Sequence, residues 1–169
     1  DLRIHGHAIE ARLCAENPDA NFLPATGRLA VLRWPDHVAF TRGASGSTGG
    51  EPAPVRIDAG VAEGDAITPY YDSMIAKLIV HGTDRNDAIR RMREALNAFV
   101  IRGISSNIPF QSALLAHPQF VSGDFNTGFI AEHYKSGFRA EDVPHDDPDF
   151  LVALAAATYR LYRQRAAGI

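Results

Sequence analysis

Two short stretches carry residue types that could do chemistry. In Glu10-Ala11-Arg12 a carboxylate and a guanidinium two residues apart project from one face of an extended segment, because side chains alternate along a strand. A guanidinium is always charged and offers a planar fork of donors, which suits a carboxylate, a bicarbonate ion or a developing enolate oxygen. The same spacing also suits a plain cross-sheet ion pair, and the residue types leave both readings open. In Tyr70-Tyr71-Asp72 two rings could wall a pocket while the carboxylate orients Arg12; the same residues equally make a turn with packing aromatics.

Other chemistries lack their residues. There is no glycine-rich phosphate loop, no Gly-x-Ser-x-Gly elbow and no Cys-x-x-Cys, and Cys14 has no paired histidine to activate it. His5 and His7 share a strand face, but no third ligand follows at a metal-binding spacing, so no metal site is expected. The 169 residues, 46% of them hydrophobic, form one globular domain able to bury roughly two thirds of its unfolded surface. Seventeen basic against twenty acidic residues leave a net charge of -3, which gives nucleic acid or an anionic membrane no attracting field. A single cysteine inside an apolar strand reads as a small buried hydrophobe in a reducing compartment. No apolar run reaches the ~20 residues of a membrane span, so a soluble protein of the interior of the cell is expected. The chain does not start with Met and begins close to strand-like sequence, and it reads as a fragment of a longer protein.

The elements that must position these residues follow from pattern. Ile4 to Ala15 is extended, with Ile9, Ala11 and Leu13 on one face and Ala8, Glu10, Arg12 and Cys14 on the other. Arg28 to Trp34 makes a hairpin-like return, and Val55 to Ala59 a short strand. Residues 43–54, rich in Gly and Ser, predict a mobile loop. Tyr70-Tyr71-Asp72 leads into the strongest strand, where Met74, Ala76, Leu78 and Val80 should face the core and Ile75, Lys77, Ile79 and His81 should face away. Thr83-Asp84 caps a helix with an apolar stripe of Ile89, Met92, Leu96, Phe99 and Val100, ended by Gly103, while Arg85, Arg90, Arg91 and Arg93 mostly form its solvated side. Asn107-Ile108-Pro109 starts a second helix that Pro118 stops, and Thr127 can cap a third with Phe129 and Ile130 inward. After a polar connection at 135–147, Asp147-Pro148 caps a final helix. The expectation is an α+β fold: a mostly antiparallel sheet of about four to five strands packed by three or four C-terminal helices. Residues 1–134 form the main domain and 148–169 the start of another.

Gly6-His7-Ala8-Ile9-Glu10-Ala11-Arg12-Leu13-Cys14-Ala15-Glu16, Phe22-Leu23-Pro24-Ala25-Thr26-Gly27, Tyr70-Tyr71-Asp72-Ser73-Met74-Ile75-Ala76-Lys77-Leu78 and Gly103-Ile104-Ser105-Ser106-Asn107-Ile108 closely resemble the biotin carboxylase C-terminal domain, in the family's order. Asn107-Ile108-Pro109-Phe110 and Thr127-Gly128-Phe129-Ile130-Ala131-Glu132-His133-Tyr134 look like the alpha subunits of acyl-CoA carboxylases, propionyl-CoA carboxylases foremost. Enzymes acting on acetyl-CoA or 3-methylcrotonyl-CoA share much of the pattern, and urea and pyruvate carboxylases share the chemistry. The resemblance implies ATP-dependent carboxylation of biotin: ATP and bicarbonate give carboxyphosphate, which yields carbon dioxide and phosphate, and the deprotonated biotin attacks the carbon dioxide.

By this resemblance Arg12 stabilises the biotin enolate oxygen and helps hold bicarbonate, with Glu10, Tyr71 and Asp72 on the same biotin and bicarbonate side. Arg56 falls at a subunit interface, so a homodimer is implied. The ATP-grasp lid, the nucleotide-binding lysines, the magnesium ligands and the catalytic base lie N-terminal to such a domain. The chain alone is therefore expected neither to bind ATP well nor to turn over, and the alternative reading is a non-catalytic dimerisation or docking module of a biotin-dependent carboxylase. Implied partners are the remainder of the biotin carboxylase chain, a biotin carboxyl carrier domain and a carboxyltransferase subunit, in a bacterial cytoplasm or a mitochondrial matrix. Phe150 to Ala166 resembles the beginning of the linking domain of the long alpha subunits.

Overall fold

The computed structural model describes residues 3–35, 39–42, 55–143 and 148–167. The expected mobile loop 43–54 and residues 144–147 of the polar connection lie outside them. The strands are β1 (His7–Cys14), β2 (Glu16–Asn17), β3 (Leu23–Pro24), β4 (Gly27–Arg28), β5 (Val31–Arg33), β6 (Ala39–Arg42), β7 (Val55–Ala59), β8 (Ala66–Ile67), β9 (Met74–Gly82) and β10 (Val100–Arg102). The helices are α1 (Arg85–Ala98), α2 (Ile108–Ala116), α3 (Pro118–Ser122), α4 (Phe129–His133) and α5 (Pro148–Ala167). One four-stranded sheet runs in the order β1-β9-β7-β6, antiparallel except for β6 against β7. The mostly antiparallel sheet is as expected. Its parallel pair is allowed by the length of segment 43–54, since a parallel return needs about a dozen residues.

Alternation decides which face is buried. Ala11 and Leu13 of β1, Ile57 and Ala59 of β7, and Ala76, Leu78 and Val80 of β9 are buried, and α1 covers them with Ala88, Ile89, Met92, Ala95 and Leu96. Each large aliphatic side chain removed from water here contributes about 1.5 to 3 kcal/mol. One residue breaks the alternation. Leu13 pairs with Ala76 but Cys14 pairs with Met74, so Ile75 is an extra residue on β9. The bulge turns Ile75, expected on the outer face, into the core, where it is fully buried.

Asp84 caps α1 by accepting the Asp87 amide at 2.9 Å, and the Asp87 carboxylate in turn accepts the Thr83 amide at 3.0 Å. That amide, then Arg90 and Arg91, hold the Asp87 carboxyl well below the usual carboxylate range. Arg90 and Arg91 pair with Asp87 at 2.5 and 2.9 Å. Arg85 does not join them on a solvated face. It reaches α3, donating to the Phe120 and Val121 carbonyls with its guanidinium 5.0 Å from the Phe120 ring.

The apolar stripe overstates the helix. α1 stops at Ala98, Phe99 is extended, and Val100–Arg102 form β10 against β5, where β-branched Val100 and Ile101 fit a strand better than a helix. Gly103 therefore does not end a helix. It has φ +99, and a Cβ there would lie 2.1 Å from the Arg28 carbonyl oxygen, so only glycine lets the two backbones meet. α2 ends at Ala116, before Pro118 as expected, and Pro118 is itself the first residue of α3. α4 is capped by Gly128 rather than Thr127, and of its two inward candidates Phe129 is buried while Ile130 is 46% exposed.

A second cluster, Phe110, Ala113 and Phe138 with Phe22 packed edge-on to Phe110 at 4.8 Å, closes the α2 side. At the head of α3 the His117 ring accepts the Gln119 amide at 3.3 Å and lies 4.4 Å from the His133 ring. Burial, then the His133 charge, pushes His117 below the usual imidazole value. The folded state thus binds this proton less readily than the unfolded chain. Stability from His117 is full above about pH 6.5 and declines as pH falls further. Urea midpoints should drop between about pH 7.5 and pH 5.5, and drop less in His117→Asn; an equal drop in both would show that His117 is not responsible.

Candidate functional site

The outer face of the sheet carries the candidate residues Glu10, Arg12 and Arg56. Because Ile9, Ala11 and Leu13 turn inward on β1, Ala8, Glu10 and Arg12 turn outward and are exposed. The Arg12 and Glu10 side chains are 69% and 46% exposed, with Arg12 Nε 3.8 Å from Glu10 Oε1. The pair lies along one strand rather than across the sheet, and the distance is too long for a hydrogen bond. Such a contact stabilises the fold by about 0 to 1 kcal/mol and leaves the guanidinium fork open to solvent.

What fixes Arg12 is its backbone. β1 is the sheet's edge strand, and its free edge is paired by one residue, Asn107, the only buried polar residue among those described. Asn107 Oδ1 accepts the Cys14 amide at 3.0 Å, its Nδ2 donates to the Arg12 carbonyl at 3.0 Å, and its own amide donates to the Cys14 carbonyl at 3.1 Å. Gln111 Nε2 reaches the same Arg12 carbonyl at 3.4 Å. Asn107 stands at the head of α2, as expected, yet it makes no side-chain cap on its own helix. An Asn before a Pro-containing helix reads locally as a cap. A partner 93 residues away leaves no local signal.

The Tyr70-Tyr71-Asp72 turn is tied to the far end of β1. The Ala15 amide donates to the Ser73 carbonyl at 2.8 Å, and the Ser73 hydroxyl donates to Glu16 at 3.0 Å. Asp72 accepts the Met74 amide at 3.0 Å, which makes it a turn cap, and it forms no ion pair with Arg12. Tyr70 and Tyr71 are 86% and 85% exposed. Cys14 is half-buried between the two stretches, and burial, then the nearby Glu16 carboxylate, raises its thiol above the usual value. It is a poor nucleophile there.

Arg56 shares this outer face. It grips Asp58 with two hydrogen bonds of 2.9 and 2.8 Å, and both side chains remain accessible. The register places Arg56 beside Ile79 and Asp58 beside Lys77 on β9, so the Arg12 and Arg56 strands flank one central strand. The structure thus brings Glu10, Arg12 and Arg56 to one face and sets Tyr71 and Asp72 at its end. A groove of about 560 Å³ beside Asn86, Arg90 and Leu115 belongs to the helical layer and not to this face. Among the described residues no three of His, Cys, Asp and Glu come together to hold a metal ion. No helix among them is long and apolar enough to cross a membrane.

The domain is α+β, with the Arg12 guanidinium exposed on the outer face of its sheet and the Tyr70-Tyr71-Asp72 turn at the end of that face. The chain belongs to the biotin carboxylase C-terminal domain family, whose sequence pattern matches residues 10–132. It is 45% identical to the propionyl-CoA carboxylase alpha chain of Ruegeria pomeroyi, covering 95% of this chain and 24% of that protein. It is 42% identical to the mitochondrial methylcrotonoyl-CoA carboxylase subunit alpha of Dictyostelium discoideum, covering 98% of this chain and 22% of that one. Among solved structures it is similar to the biotin carboxylase domain dimer of Hydrogenobacter thermophilus 2-oxoglutarate carboxylase, in complex with MgADP, ADP and bicarbonate. The TM-score is 0.66 and the identity 31%, over 86% of this chain and 28% of that one. The chain spans about a quarter of the length of the curated relatives it matches.

Proposed function

We propose that this chain is the C-terminal part of the biotin carboxylase component of an acyl-CoA carboxylase, propionyl-CoA carboxylase first. In this reading it contributes Arg12 to the ATP-dependent carboxylation of biotin by bicarbonate. The observation that carries the reading is the state of Arg12: exposed, only loosely paired, and held by a strand whose edge Asn107 closes. The reaction has to hold an oxyanion and then stabilise negative charge on the biotin ureido oxygen. A permanently charged fork fixed on a sheet serves both needs. Glu10, Tyr71 and Asp72 border the same side.

Among the described residues no three of His, Cys, Asp and Glu come together as metal ligands, and the sequence has no phosphate loop. ATP and magnesium fall to the rest of the carboxylase chain, and no step here passes through them. Biotin arrives on a carrier domain, and a carboxyltransferase subunit takes the carboxyl group onward. Arg56 and its bound Asp58 form the self-association surface, a reading supported by their exposure and by the dimeric state of the 2-oxoglutarate carboxylase domain. α5, with Phe150, Leu151, Val152, Leu154 and Leu161 exposed along it, starts the linking segment beyond a main domain at 1–134. The compartment is the bacterial cytoplasm or, as for the Dictyostelium relative, the mitochondrion.

The test is the complete carboxylase with its carboxyltransferase, given labelled bicarbonate, ATP and, in turn, propionyl-CoA, 3-methylcrotonyl-CoA and acetyl-CoA. Label should enter propionyl-CoA fastest, and ATP hydrolysis should depend on biotin. ATP hydrolysis indifferent to biotin would refute the assignment, and a faster second acyl-CoA would keep the chemistry while changing the enzyme.

A further inference from the structure

The outer face of the sheet sets a second cation directly against Arg12. Lys77 of β9 is the cross-strand partner of Arg12 on one side and of Asp58 on the other, so the three side chains rise as one row. Glu10, Ile79 and Arg56 form the next row. The ion pairs of this face run along the strands. Glu10 lies 3.8 Å from Arg12, and Asp58 is gripped by both arms of Arg56. Each carboxylate is thereby engaged on its own strand. Lys77, half-buried on the central strand, makes no ion pair or hydrogen bond among the described residues. Three cations share the face with two carboxylates.

Like charges placed directly opposite on a sheet oppose folding, and a half-buried site screens them less than open water does. The register of β1 and β9 nevertheless holds Lys77 and Arg12 opposite one another, where opposed Cα atoms are about 4.5 to 5.5 Å apart. Two long cationic side chains rooted that close together can both reach one small anion. The guanidinium fork would set the plane of a trigonal oxyanion, and the compact ammonium would add charge without fixing orientation.

The geometry points to Lys77 as a second anion-binding residue, its ammonium and the Arg12 guanidinium flanking one small oxyanion of the carbonate or carboxylate class. This rests on the proposed function, in which that oxyanion is bicarbonate.

The test uses the complete carboxylase carrying Lys77→Met, which removes the charge and keeps the stem. KM for bicarbonate should rise roughly tenfold or more, the scale of one charged hydrogen bond, while KM for ATP stays constant. The melting temperature should hold or rise, because a repulsion has been relieved. Lys77→Arg should recover most of the bicarbonate affinity. An unchanged KM for bicarbonate in Lys77→Met, alongside lost turnover in Arg12→Ala, overturns this inference and leaves the proposed function standing. Normal turnover in Arg12→Ala overturns both. A lower melting temperature, with both Michaelis constants shifted together, would mean that Lys77 pairs with a carboxylate elsewhere in the carboxylase, and that also ends the proposal.

Discussion

Replacing Arg12 with alanine in the complete carboxylase should lower biotin carboxylation by about 100- to 1000-fold, the effect of removing one preorganised donor worth about 2.7 to 4 kcal/mol. Stability should barely move. The side chain is 69% exposed, and its only ion pair among the described residues is the 3.8 Å contact with Glu10, a surface pair worth about 0 to 1 kcal/mol. A large kinetic loss without a thermal one separates a catalytic role from a structural one. Arg12→Lys should recover little of the loss, because an ammonium lacks the planar fork. The measurement is kcat at saturating ATP and bicarbonate together with the melting temperature. A rate within about threefold of the parent would remove Arg12 from the chemistry.

Asn107→Ala is expected to give the largest loss of stability at the site, about 2 to 4 kcal/mol by urea denaturation. The substitution strips partners from the Cys14 amide and the Arg12 carbonyl at once, and each buried polar group left without a partner costs about 1 to 3 kcal/mol. Gln111, at 3.4 Å from the Arg12 carbonyl, can recover only part of one of those bonds. Asn107→Asp keeps the acceptor toward Cys14 but loses the donor toward Arg12, so its cost should fall between those of the parent and the alanine variant. Gln111→Ala should cost less than about 1 kcal/mol, since a long exposed hydrogen bond is easily replaced by water. If Asn107→Ala and Gln111→Ala cost the same, edge pairing by Asn107 does not hold β1.

How far the site was legible depends on how local each cause is. The outward direction of Glu10 and Arg12 follows from the apolar Ile9, Ala11 and Leu13 alternating with them, and the structure keeps that alternation. The strand at Val55–Ala59, the cap at Asp84 and the entry into α2 are equally local, and each stands where the residues put it. The end of α1 departs from the sequence pattern because Phe99 and Val100 continue the three-four spacing of the stripe beyond Ala98. Their spacing suits a helix, but pairing with β5 gives Val100–Arg102 a better place. Arg85 reads in sequence as a solvated residue, because nothing near it announces Phe120, to whose ring and carbonyl it is bound. Tyr70 and Tyr71 have the composition of a pocket wall and are exposed on this chain.

The sequence by itself determined the family and the choice of faces on β1 and, from Ala76 onward, on β9. These follow from residue identity and from a backbone period of two, which needs no partner to operate. Only the tertiary structure decided that Asn107 closes the edge beside Arg12, that a bulge buries Ile75, and that Lys77 stands opposite Arg12. Those facts depend on the register between segments more than 60 residues apart in the chain, since β1 and β9 align Arg12 with Lys77. Register is set when the buried faces of two strands are packed under the same helix, and a slip of one residue would reverse every face.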